Sequence, residues 1–185
     1  NRGAGWRVAQ LHPSGEASRT GECSKGRDRG AGRALARTTS RNSDRPQGYL
    51  HTAGIPTTAH SRLLVDHVPT TDAFTVASLA SAGAIMMGKL TAHEFAWGGP
   101  SFDLPWPPAR NPWNTDYETG SSSSGSGAAT AAALCATSLG EDTSGSIRHP
   151  SSWCGIVGLR PTWGRVSRYG LTPVIWSMDQ AGPMS

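Results

Sequence analysis

Serine hydroxyls crowd two glycine-rich turns of this chain, Gly120-Ser121-Ser122-Ser123-Ser124-Gly125-Ser126 and Asp142-Thr143-Ser144-Gly145-Ser146-Ile147-Arg148. Between them runs a stretch of small residues, Ala128 to Ala136, read as a short helix. A serine attacks a carbonyl only when something accepts its proton and N–H groups meet the oxyanion that forms. Two hydroxyl-rich turns joined by one helix can face each other across a single site, as serine chemistry without a histidine base requires. A Gly/Ser linker would carry serines too, solvated and without function. It would not place a small-residue helix and then D-x-x-G-S-I-R.

The order of these pieces resembles the amidase signature family, serine hydrolases that cleave or transfer carboxamides. The residues that carry the resemblance are Gly140 to Pro150, with Ser144 where the family pattern has glycine, and Cys154-Gly155 followed by Gly158 to Ser167. Ser121 replaces a second family glycine in the first turn. The resemblance covers about residues 51 to 185. It implies an α/β fold, a mixed β-sheet flanked by helices, present here as an incomplete N-terminal portion. By the same resemblance Ser146 is the nucleophile, and Ser122 relays a proton from a non-proline cis peptide. The N–H groups of Thr143, Ser144, Gly145 and Ser146 form the oxyanion hole, while Ser123, Asp142 and Arg148 support the loops. The reaction is hydrolysis of a linear carboxamide through an acyl-Ser146 intermediate, with no metal or organic cofactor. The partner is a small-molecule amide, and a homodimer is compatible with the family.

The family's base is a lysine, and it is not Lys89, which falls in a different family segment where lysine is structural. The base belongs upstream of Thr52-Ala53-Gly54-Ile55-Pro56-Thr57-Thr58, at a position held here by Gln47, followed by Gly48 where aspartate is expected. A neutral amide cannot accept the serine proton at useful pH. With synonymous bases free to choose, codons for Arg37 to Tyr49 shifted by one base read G-P-L-H-G-I-P-I-A-L-K-D, the missing lysine segment in full. We therefore expect residues before about Leu50 to be translated out of frame, through a sequencing error or an indel. As written, the chain lacks its general base, and an inactive, carboxamide-binding relative is one alternative. Another is the A-type subunit of a glutamine-dependent tRNA amidotransferase. The segment Gly98 to Pro108 looks more like stand-alone amidases, which makes the stand-alone reading the leading one.

The elements around these turns fit an α/β layer. Asp72 to Ala80 places Ala73, Val76, Ala77 and Ala80 on one helical face, capped by Thr71 or Asp72 and ended by Gly83. Ala84 to Met87 reads as a short buried strand, and Thr137 to Leu139 and Ile156 to Leu159 as two more. Pro100 to Pro112 is too rich in proline for regular structure. Residues 1 to 50 hold ten Arg/Lys against four Asp/Glu and the remainder seven against nine, so the net +4 comes from an irregular first segment. Those charges form no helical stripe and lack interleaved aromatics, which argues against a nucleic-acid partner.

Nothing approaches the ~20 apolar residues that span a membrane, and the start lacks a signal-peptide core. Cys23, Cys135 and Cys154 lack metal-ligand spacing and read as buried thiols, so a soluble cytoplasmic protein is the expectation. The first turn has serine, at Ser126, where a phosphate loop needs lysine, and His93-Glu94 lacks a second zinc-binding histidine. No G-x-S-x-G elbow surrounds Ser146. His51, His60 and His67 read as loop or surface residues, and His149 as packed or solvated.

The chain ends at Ser185, in a segment similar to the middle of the family's domain, so it reads as a fragment with an uncovered sheet edge. The expected outcome is weak folding of the isolated chain; a cooperative thermal transition would contradict it.

Overall fold

The computed structural model describes residues 34–35, 48–104 and 106–185. Gln47 and most of the basic first segment lie outside the described residues, as does Cys23. Among the described residues, two small sheets and three α-helices carry the chain. β1 (Ala34–Leu35) pairs parallel with β2 (Ile85–Met86). β3 (Ser138–Asp142) pairs antiparallel with β4 (Gln180–Met184), with Gly140 opposite Gly182. The helices are α1 (Phe74–Ser81), α2 (Ser124–Ala131) and α3 (Arg148–Cys154).

Helix α1 forms where its pattern placed it and stops before Gly83, whose φ of 85° suits glycine. Its first turn has no side-chain cap; Asp72 instead accepts the Ala53 N–H at 2.8 Å, tying the helix entry to the Thr52–Thr58 segment. Ala73 and Val76 are buried, but Ala77 is exposed, so the buried stripe is narrower than the spacing suggested. The strand at Ile85–Met86 is short and not buried, with Ile85 58% exposed.

Helix α2 begins inside the serine turn, four residues before the predicted start, and Ser124 to Ala129 are all buried. A buried helix needs partners for its polar side chains. Strand β3 supplies them for Ser126 and Thr130, though Ser124 Oγ has none among the described residues: Ser126 Oγ donates to Leu139 O at 2.7 Å, and Ser138 Oγ donates to Ser126 O at 3.2 Å. Thr130 Oγ1 lies 2.8 Å from Ser138 Oγ. Small side chains let the backbones approach closely. A Cβ on Gly125 would sit 2.5 Å from Thr91 O, and one on Gly127 would sit 3.2 Å from Cys154 Sγ. Strand β4 and helix α3 were not foreseen as elements. The strand expected at Ile156–Leu159 is reduced to a single bridge, Gly158 opposite Met184, with Val157 and Ser185 exchanging N–H···O bonds of 2.7 and 2.8 Å.

The apolar packing is modest. Tyr49, Ala59, Ala92 and Leu171 form one buried cluster, with Leu50, Leu64, Phe95 and Ala96 against it. Ile147, Cys154, Ala181 and Met184 are also fully buried. Pro100 to Pro112 is irregular as expected, yet Trp106 is buried and packs on the His60 ring at 5.3 Å.

Gly125→Ala would force the Thr91 backbone away and cost about 1–3 kcal/mol as overpacking. The expected readout is faster hydrogen exchange at Gly125 and His93, whose N–H groups bond Thr91 O and Ser122 O. Unchanged protection at both would refute the close packing.

Candidate active site

The two serine turns meet because backbone bonds strap one to the other. Ser123 N–H donates to Ser146 O at 3.1 Å, and Ser121 N–H donates to His149 Nδ1 at 3.2 Å. On the opposite side, His93 N–H donates to Ser122 O at 3.1 Å. The Ser121–Ser122 peptide is cis. Ser123 does not cap α2. Its hydroxyl reaches β3, donating to Glu141 O and accepting from Glu141 N–H, each at 3.1 Å. Ser122 and Ser146 are both buried, and Ser122 Oγ has no hydrogen-bond partner among the described residues.

The loop after β3 is wrapped around one carboxylate. Asp142 is fully buried and accepts N–H groups from Gly145 at 2.8 Å, Ile147 at 3.2 Å and Arg148 at 3.4 Å. Arg148 adds Nε at 3.0 Å and Nη2 at 3.1 Å, and Arg160 Nε lies 3.3 Å away. Burial pushes the Asp142 carboxyl up, but the Arg148 guanidinium and the Ile147 and Arg148 amides outweigh it and hold the group below the ordinary range. Arg148 is held above its ordinary value by the same pairing. The Gly145 amide, one of four expected oxyanion donors, is thus engaged with Asp142, while the loop Thr143–Ser146 is pinned at both ends.

Lys89 stands apart from the serines in its bonds. Its Nζ donates to Leu50 O at 2.7 Å and to Thr57 Oγ1, fastening the segment that follows Gly48. Burial pushes this amine down to about 7, with Asp72 opposing. Lys89 also lines a cavity of about 100 Å³ with Gly48, Tyr49, Ser123, Ser126 and Glu141. Gln47, the position of the expected base, lies outside the described residues.

Of the histidines read as loop or surface residues, His60 is buried. Its Nδ1 accepts the Ala92 N–H at 3.5 Å, and burial pushes it down to about 4, so it is neutral. His51 and His67 face each other at 5.4 Å. His149 packs edge-on against Trp153 at 4.4 Å. Cys154 is a buried free thiol, pushed up to about 11 by burial. Among the described residues no group of three or more His, Cys, Asp or Glu could hold a metal ion, and no helix is long and apolar enough to cross a membrane.

Asp142→Asn leaves the loop amides without their anion, and because the Arg148 and Arg160 side chains reach solvent the cost is that of hydrogen bonds to a charged group, about 1.5–3 kcal/mol. Hydrogen exchange at Gly145, Ile147 and Arg148 should accelerate accordingly. Because the Asp142 carboxyl is held below its ordinary 3.8, its contribution is present above that pH and lost as pH falls below it. Loop protection indifferent to the substitution would contradict the assignment.

Comparison with known proteins gives a consistent result. The family described as Amidase matches residues 49–185. The glutamyl-tRNA(Gln) amidotransferase A subunit of Nitratidesulfovibrio vulgaris (strain DP4) is 55% identical over 136 residues, covering 74% of this chain and 28% of that protein. Its counterpart in Synechococcus sp. (strain CC9311) is 51% identical over the same shares. Among solved structures, the Thermotoga maritima A subunit of the same enzyme matches with TM-score 0.71 and 37% identity over 81% of this chain and 35% of that one. The peptide amidase of Stenotrophomonas maltophilia matches with TM-score 0.69 and 38% identity over 74% and 29%. This chain therefore spans 28% of the length of the two amidotransferase subunits from N. vulgaris and Synechococcus.

Proposed function

The chain belongs to the amidase family, and from that premise we propose that it is the nucleophile-bearing part of an amidotransferase A-type subunit that hydrolyses the carboxamide of glutamine. Ser146 attacks the carbonyl and passes its proton to Ser122. The oxyanion is met by the N–H groups of the loop Thr143, Ser144, Gly145 and Ser146, with Gly145 partly committed to Asp142. Collapse of the tetrahedral intermediate breaks the C–N bond and leaves acyl-Ser146; the amine departs as ammonia once protonated. Water then releases the carboxylate. In an amidotransferase the ammonia is passed to a charged tRNA held with partner subunits.

The observation that carries this reading is the identity of 51–55% to amidotransferase A subunits over most of the chain. It outweighs the Gly98–Pro108 loop that favoured a stand-alone amidase. The proton path needs an acceptor beyond Ser122, and Gln47 cannot be one. Activity therefore depends on lysine at position 47, as the shifted reading of residues 37–48 supplies. With Gln47 in place the same site binds a carboxamide without turning it over.

The test is ammonia release from glutamine and from simple aliphatic carboxamides, using the whole protein with either sequence at residues 37–48. Lysine at 47 should raise the rate by about 10²–10⁴-fold, the usual worth of a positioned base, and glutamine should be the preferred amide. Preference for simple amides would restore the stand-alone reading. Equal rates with glutamine and lysine at 47 would remove the base from the scheme.

A further inference from the structure

Beneath the nucleophile loop, one hydroxyl lies between two carboxyl groups. Thr143 Oγ1 is 2.6 Å from Glu141 Oε1 and 2.6 Å from Asp179 Oδ1. A threonine hydroxyl has a single proton, so it can donate to only one of them. Asp179 is already an acceptor: it takes the Val174 N–H at 2.8 Å and the Ile175 N–H at 2.9 Å. Glu141 is 1% exposed, and its Oε2 has no partner among the described residues. A buried carboxylate with an orphaned oxygen costs far more than a buried carboxylic acid with one.

We propose that Glu141 is a positioning residue for the acyl-transfer loop: held as the neutral acid, it donates its proton to Thr143 Oγ1, which in turn donates to Asp179. This directed chain, Glu141 to Thr143 to Asp179, fixes the first residue of the loop whose other end Asp142 holds. Its bearing on catalysis rests on the reaction proposed above; the proton's location does not.

The surroundings agree. Burial raises the Glu141 carboxyl to about 7, and the Thr143 hydroxyl lowers it. Asp179 and Asp142 add to the rise, and Arg160, across the loop, opposes it. The Tyr49 phenol, itself pushed up chiefly by burial, also feels Glu141 and is neutral. A glutamate raised above its ordinary 4.5 contributes fully below that pH and loses its contribution as pH rises through about 7. Ionised Glu141 and Asp179 would then compete for one hydroxyl proton.

The first experiment is a carbon-13 titration of the whole protein labelled at glutamate side-chain carboxyls, with protected amides at Gly145, Ile147 and Arg148 confirming that the loop is folded. Glu141→Gln identifies the Glu141 signal by loss. That resonance should titrate near 7. Its titration in the ordinary carboxylate range while those amides are protected would overturn the proposal, whether or not Ser146 reacts. The second measurement is loop hydrogen exchange, corrected for base catalysis. Parent protection should fall about tenfold by pH 8, one unit above the Glu141 midpoint. Glu141→Gln, whose amide N–H replaces the acid proton, should remain protected. Loss of protection in Glu141→Gln at pH 6, or an unchanged pH response in that variant, would also overturn it.

Discussion

The arrangement depends on the buried carboxylate of Asp142. Taking that charge out of water is unfavourable by several kcal/mol unless donors surround it, and here three backbone amides and two arginines do so. The loop from Thr143 to Arg148 is folded back on the residue that precedes it, which fixes where Ser146 sits. The second turn is then placed by Ser146 O, which accepts the Ser123 amide. A glycine-rich loop would otherwise be the least ordered part of the chain. Its order comes from electrostatics and hydrogen bonding more than from apolar burial.

The same economy explains why the site is built from small hydroxylated residues. Helix α2 is buried along Ser124 to Ala129 with almost no apolar bulk. Its cohesion with β3 comes from Ser126, Thr130 and Ser138, each hydroxyl satisfied by the other element. Replacing any of these by a larger side chain would separate the helix from the strand that leads into Asp142. The two serine turns are thus coupled through the helix as well as directly.

The two serine turns were legible because serine chemistry restricts residue types, and they do meet. The parts given to Ser122, Ser146, Asp142 and Arg148 came from the family resemblance. Features that depend on distant pairing were hidden. Asp179 lies 36 residues beyond Thr143, so the carboxyl–hydroxyl–carboxyl chain has no local signature. Strand β4 is recognisable only once β3 exists to pair with it. His60 is buried by Trp106, which sits in a loop whose prolines announce irregularity but not burial. The helix start at Ser124 was missed because Gly125 and Gly127 disfavour helix locally, and tertiary contact overrides that preference. The departure at Gln47 was readable only against the family resemblance, and it lies outside the described residues.

The central claim is that Ser146 is the nucleophile of a loop held by Asp142 and activated only when position 47 supplies a base. Mass spectrometry of the protein from its native source, after treatment with a fluorophosphonate serine probe, tests it in one experiment. The account predicts an adduct on Ser146 together with a peptide carrying lysine at position 47, or neither. An adduct on Ser146 in protein whose peptide carries Gln47, or an adduct on another serine of these loops, would contradict it.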